Sequence, residues 1–384
     1  MSETPEAQAG SISDRALARA LRMMKGDILE GRQDPAGLQA LAEACFPGED
    51  VSDPRFLRWL YEENPVRPAD ELITKSGAMV TGHIAGVPLR YRIAGSEVLG
   101  GLAVNAITHP EHRGKGIFVV LHAEVSRLTA AKDILFLFGF ANPNSEKGCL
   151  RHLNYRDLGR FPLWILPLKL GSVVKAQAGI PRPIGRLGSA IGAPFLGLWR
   201  AVRRPWRKGH FTIGKIVDFG PEFDALWAEA GKGYANIAVR DMAFLRWRFV
   251  QCPTRRYDIF AARSGGRLAG YLVGTATHFG GLNWAMIADL FVPASAEGRN
   301  AAARLIATYA KHARASGADV VGSLMLRHAP GAAALKRNGF IAAPRKLMPR
   351  EFPILLQWNS PQAPPEGVFD ARNWYLTMGD YDAV

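Results

Sequence analysis

Arg113-Gly114-Lys115-Gly116-Ile117 puts two glycines and two basic side chains into five residues. Where such a run joins a strand to a helix, the glycines let the backbone close on an anion. The unpaired N–H groups of the first helical turn then point at it, aided by the positive end of the helix dipole. Arg113 and Lys115 add formal charge, and the ligand this chemistry suits is a pyrophosphate. Two other phosphate loops fit worse. A Walker loop ends in Gly-Lys-Ser/Thr, whereas Lys115 is followed by Gly116; a dinucleotide fingerprint needs a third glycine where Val119 stands.

The elements around this run read as the strand and helix it requires. Gly101 to Thr108 is strand-like, and an amphipathic helix is expected from about Gly116 to Ala130. This arrangement occurs twice. Phe56-Leu57-Arg58-Trp59-Leu60-Tyr61-Glu62-Glu63-Asn64-Pro65 recurs as Phe244-Leu245-Arg246-Trp247-Arg248-Phe249-Val250-Gln251-Cys252-Pro253, with five identities. Each copy reads as a helix whose Phe and Trp pack into a core, followed by three strands, a longer helix and a fourth strand. The copies close alike, at Asn154-Tyr155 and Gly339-Phe340. Expected boundaries are a helical leader over 1–40, one α/β domain over 41–165, a basic linker over 166–215, a second domain over 216–358 and a tail over 359–384.

Composition is that of a folded, core-forming chain: 384 residues, 48% hydrophobic and 21% charged. Cys45, Cys149 and Cys252 are far apart and odd in number, so they offer neither a disulfide framework nor metal-ligand spacing, and a reducing cytoplasm is the simpler expectation. Met1 to Gly10 holds two Glu and no apolar run, unlike a secretory signal, and no stretch approaches the ~20 apolar residues of a membrane span. The net charge of +14 is concentrated: no acid lies between Asp157 and Asp218, and 11 Lys and Arg do. Within 195–208, Phe195, Leu198, Trp199, Val202 and Trp206 fall near helical spacing among arginines. That pattern suits an anionic membrane surface or, equally, a solvated linker. Nucleic-acid binding has the weakest case, since no recognised motif or stacking platform accompanies the charge.

With loop, repeat and closing turns quoted, the chain resembles the GNAT N-acetyltransferases. Their pyrophosphate loop, Arg/Gln-x-x-Gly-x-Gly/Ala, is matched by Arg113 and Gly116 and departed from at Phe118. The chain also resembles tandem acetyltransferases of bacterial exopolysaccharide and holdfast systems, which share an RGKGIF-like loop and a Trp-Tyr-Leu-Thr-x-Gly-Asp-like tail. The resemblance implies an α/β chain of two tandem GNAT-like folds, each a mixed central sheet flanked by helices. It implies acetyl-CoA or another acyl-CoA held by Ala106, Ile107, Thr108, Arg113, Gly114, Lys115, Gly116, Ile117, Phe118 and Asn144. An amine is the acceptor, with an amino sugar the specific candidate, and transfer is direct.

The loop of the second copy, Pro293 to Asn300, carries Glu297 and a single glycine, so it is expected to bind the cofactor poorly. For catalysis His83 is a candidate base, since imidazole titrates near neutrality. Asn105 stands where many relatives carry a carboxylate and could position a water. Asp380 could reach the acceptor from a docked tail. The family's Tyr acid is replaced by Leu150 and Leu335, and Cys149 lacks the partners of a nucleophile. Those gaps leave open a different class, a degenerate effector that binds an anionic lipid or nucleotide through the linker.

Overall fold

The computed structural model describes residues 14–24, 26–169, 171–172, 210–343, 348 and 351–381. The membrane-surface expectation for 195–208 therefore lies outside the described residues. The chain divides into two units, each treated by itself.

In the first unit α1 (Asp14–Met23) precedes β1 (Asp27–Glu30), α2 (Pro35–Cys45) and α3 (Pro54–Tyr61). Helices α2 and α3 start where the sequence supplies both a cap and a starter. Asp34 and Asp53 accept backbone N–H bonds, and Pro occupies the first turn of each. Then come β2 (Asp70–Ser76), β3 (Met79–Ile93), β4 (Ser96–Thr108), α4 (Ile117–Ala130), β5 (Ile134–Gly139), α5 (Pro143–His152) and β6 (Arg156–Arg160). The sheet runs β1-β2-β3-β4-β5, then strand Pro353–Trp358, then β6. All neighbours are antiparallel except β4 and β5, which are parallel. Ile117, Leu121 and Val125 of α4 pack on Leu72 and Ile84, while Leu41 and Ala42 of α2 pack with Ile73, Val80 and Ile107.

The second unit repeats this order: β7 (Leu163–Pro167), β8 (Thr212–Ile216), α6 (Glu222–Ala230), β9 (Asn236–Ala238), α7 (Met242–Leu245), β10 (Tyr257–Ser264), β11 (Arg267–Phe279), β12 (Leu282–Phe291), α8 (Ala296–Ala315), β13 (Val320–Leu324), α9 (Pro330–Arg337) and β14 (Ile341–Ala342). Its sheet reads β8-β10-β11-β12-β13-β7-β14, again with one parallel pair, β12 and β13. The doubled Phe and Trp behave as expected, with Phe56, Trp59, Phe244 and Trp247 all buried.

The domain boundaries expected from sequence need correction at the sixth strand of each sheet. Pro353–Trp358, placed above in the second domain, pairs with β5 and β6 of the first unit; Leu163–Pro167, assigned to the first domain and the linker, pairs with β13 and β14 of the second. The tail divides too, Trp374 onward belonging to the second unit. Both displaced strands are apolar runs, and each satisfies the hydrogen-bonding edge that the fifth strand of a sheet would otherwise leave unpaired. Ile354, Leu355 and Leu356 are fully buried there, a gain of about 1.5–3 kcal/mol per side chain relative to exposure.

Candidate functional site

The Arg113–Ile117 loop of the first repeat runs from the end of β4 to α4. His109 donates its N–H to the Thr81 carbonyl at 2.9 Å, and a short turn over Pro110–His112 leads into Arg113. Gly114 and Gly116 both have left-handed backbone, φ +75° and +82°. Gly116 is also sterically required, because a β-carbon there would stand 2.6 Å from the carbonyl oxygen of Ala20 in α1. Gly116 is the N-cap residue of α4 and no side chain caps the helix, so its first-turn N–H groups keep their capacity for an anion. Beside them lies a cavity of about 520 Å³ lined by Arg15, Arg19, His112, Arg113 and His152, with no carboxylate among its described lining residues. Thr108, Ile117 and Phe118 also line it. Asn144 is exposed in the first turn of α5, its backbone N–H bonded to the Asn142 side chain.

Next to the loop, β4 parts from β5. The two strands pair at Leu99, Gly101 and Leu102, and no pairing continues toward Thr108. In that stretch β4 carries a bulge. His83 pairs with Ile107 and Ala85 with Val104, so β4 spends three residues against two of β3. Asn105 takes φ +51° there, and Ala106 is exposed. Backbone groups around Ala106 thus sit in the bulge and have no pairing on the β5 side, beside the Arg113–Ile117 loop.

Behind the bulge lies a chain of polar side chains. The Asn105 amide donates to the Tyr61 hydroxyl at 2.6 Å, and the Asn105 carbonyl accepts from His83 Nδ1 at 2.9 Å. A carbonyl only accepts, so Nδ1 carries the proton and Nε2 keeps its lone pair, 3.9 Å from Glu71 Oε2. Two expectations change here. His83 is fully buried, and desolvation pushes it down to about 4 against the help of its carbonyl bond. It is therefore a neutral imidazole rather than a base poised near neutrality. Asn105 spends its amide on Tyr61 instead of on a water.

The group with near-neutral proton affinity is Glu71 on β2, which the sequence reading missed. Burial pushes it up to about 7, Arg32 opposing and Glu62 adding to the shift. Its signal was alternation: Glu71 shares a strand face with the fully buried Ile73.

Residues 223–340 match the acetyltransferase (GNAT) family model. The second repeat carries a GNAT-family domain. Across both repeats the fold resembles a GCN5-related N-acetyltransferase from Anabaena variabilis, with TM-score 0.56 and 15% identity over 88% of this chain and 73% of that one. N-myristoyltransferase of Saccharomyces cerevisiae with bound myristoyl-CoA gives TM-score 0.57 and 13% identity over 94% and 87%. A GCN5-related N-acetyltransferase from Kribbella flavida gives 0.52 and 13% over 88% and 71%. At such identities the likeness is one of fold, and the chain consists of two tandem GNAT-like folds. No curated protein matches by sequence.

In the second GNAT-like fold the equivalent parting of strands is filled. Strands β12 and β13 pair from Trp284 to Ile287 and then separate, with a bulge between Val273 and Gly274 of β11 opposite. Residues 374–381 occupy the gap. Thr377 bridges Met325 beyond β13, its hydroxyl donates to Asp289 Oδ1 at 2.9 Å, and the Tyr375 hydroxyl donates to the Leu290 carbonyl. The loop ahead of α8 is capped as well, Ser295 Oγ accepting from Gly298 N at 3.1 Å, with Glu297 in the first turn.

This placement corrects Asp380. The tail does dock, but its carboxylate is buried with Arg240, Oδ2 lying 2.6 Å from Nη2 and accepting the Thr377 N–H at 2.8 Å. An acid spent on a buried arginine does not meet an acceptor. Cys149, also buried, has its thiol pushed up to about 12, chiefly by desolvation, which removes a thiolate nucleophile near neutral pH.

Proposed function

We propose that this chain is an acyl-CoA-dependent N-acyltransferase whose donor binds the first repeat, with acetyl as the group transferred and an amino sugar as the acceptor. The observation that carries the reading is the open parting of β4 and β5 beside an uncapped helix N-terminus whose cavity holds basic side chains and, among its described lining residues, no carboxylate. The residues present fit the donor. Backbone N–H groups of 114–117, with Arg113 and Lys115, would hold its pyrophosphate, and the bulged backbone around Ala106, unpaired on the β5 side, would receive the thioester carbonyl. Bound acyl-CoA would supply the acyl group as an activated thioester. Glu71 takes the amine proton, its near-neutral affinity matching that task, and the neutral His83 with Asn105 and Tyr61 fixes the strand geometry around it. The inert Cys149 supports direct transfer. The amino-sugar acceptor draws on the tail and loop resemblance and on the likeness in fold, TM-score 0.53, to a glucosamine N-acetyltransferase region of a fungal β-N-acetylglucosaminidase.

Calorimetric titration of acetyl-CoA and desulfo-CoA tests the donor site. Wild type is expected to bind with micromolar affinity and one site per chain, because the second parting holds the tail. Arg113→Glu/Lys115→Glu is expected to weaken binding at least about 100-fold, since charge-assisted bonds are worth ~1.5–3 kcal/mol each. This pair is preferable to Gly116→Glu, whose side chain would collide with Ala20 and confound folding with binding. A wild type that binds neither ligand would sink the acyltransferase reading; two sites per chain would show that the tail leaves the second fold.

A further inference from the structure

We infer that helix α1, which precedes the first sheet, is part of the donor site and that Arg15 and Arg19 bind the 3′-phosphate of coenzyme A; this rests on the acyl-CoA reading above. Arg15 and Arg19 are four residues apart on α1, hence on one face, and both line the cavity at the N-terminus of α4. The backbone of α1 is held against the loop by the close approach of Ala20 to Gly116. Both arginines are exposed, and neither has a carboxylate partner among the described residues. Two like charges beside Arg113 repel one another, so this face of the cavity is complemented only when an anion enters.

The number of cations sorts the ligand. The glycine-lined N–H groups and Arg113 suffice for a pyrophosphate, which leaves two guanidinium forks unassigned. A guanidinium binds a terminal phosphate through paired hydrogen bonds, whereas a pyrophosphate buried in the loop offers it few free oxygens. Coenzyme A carries such a terminal monoester in addition to its pyrophosphate. Donors without it, such as 3′-dephospho-CoA, share the loop contacts and forgo the α1 contacts.

The test compares CoA and 3′-dephospho-CoA by calorimetry on wild type, Arg15→Ala/Arg19→Ala and Arg113→Glu/Lys115→Glu. Both α1 side chains are exposed, so their truncation leaves the fold intact, which circular dichroism checks. Wild type is expected to prefer CoA by about tenfold to hundredfold. Arg15→Ala/Arg19→Ala is expected to erase that preference while keeping the affinity for 3′-dephospho-CoA within about threefold. Equal binding of both ligands by wild type, retention of the preference in the α1 variant, or a loss there that is equal for the two ligands each overturns the inference and leaves the loop assignment standing. Failure of wild type to bind either ligand removes the donor reading itself.

Discussion

Replacing Arg240 by Met is expected to destabilise the second unit by about 3–5 kcal/mol, among the largest effects of any single substitution outside the loop. The guanidinium is fully buried between two carboxylates, 2.6 Å from Asp380 and 3.5 Å from Asp289, and Nη1 donates to the Ala238 carbonyl at 2.9 Å. Burial alone would lower its pKa, but the charges of Asp380 and Asp289 outweigh that and hold it well above the usual arginine range. Methionine matches much of the volume and none of the charge, so two buried carboxylates are left without a counter-ion. Denaturant unfolding and hydrogen exchange at residues 374–381 measure the effect. The tail amides should lose protection first, since Thr377 and Asp380 anchor that segment. Adding Asp289→Asn and Asp380→Asn to Arg240→Met should recover part of the loss, because the uncompensated charges are then gone. A cost below about 1 kcal/mol for the single variant would mean that the ion cluster does not hold the tail.

Glu71→Gln is expected to lower turnover by about 10²–10⁴-fold while making the protein more stable above neutral pH. Glu71 holds its proton up to about 7 in the native state, against an ordinary 4.5. Between those values the native chain binds a proton that the unfolded chain has released, so wild-type stability falls as pH rises through the window. The full loss is about 3 kcal/mol, reached above pH 7 and absent below pH 4.5. Glutamine does not titrate, so its advantage should grow from pH 4.5 to pH 7 and stay level beyond. Activity moves the opposite way. A base works when deprotonated, so wild-type kcat should rise through about pH 7, and that limb should vanish in the variant. Greater stability with unchanged turnover would make Glu71 a desolvated structural residue and leave the proton acceptor elsewhere.

Much of this molecule could be read from local pattern. The doubled Phe-Leu-Arg-Trp segment disclosed two copies of one unit because burial of Phe and Trp on one helical turn depends on spacing alone. The loop Arg113–Ile117 disclosed its conformation because φ values of +75° and +82° admit little but glycine. In the second loop Ser295 caps α8 and Glu297 stands in its first turn, a spacing that is likewise local.

What spacing could not convey was partnership between distant segments. Leu163–Pro167 and Pro353–Trp358 are both short apolar runs, and either sheet offers an open edge to either strand. Which one each joins is decided by the path of the whole chain. Asp380 reads as a tail acid until Arg240, 140 positions earlier, is brought to 2.6 Å and the low dielectric makes the pair a structural commitment. His83 departs from its expected proton affinity, and Glu71 from that of an ordinary carboxyl, for the same reason. A side chain's type sets its ordinary proton affinity, but desolvation moves it by units, lowering the imidazole to about 4 and raising the carboxyl to about 7. Sequence determined the local geometry of the Arg113–Ile117 loop and the duplication of the unit around it; the tertiary structure decided which copy's parted strands are filled and how far each acid is withdrawn from water, because both depend on which distant segments the fold brings together.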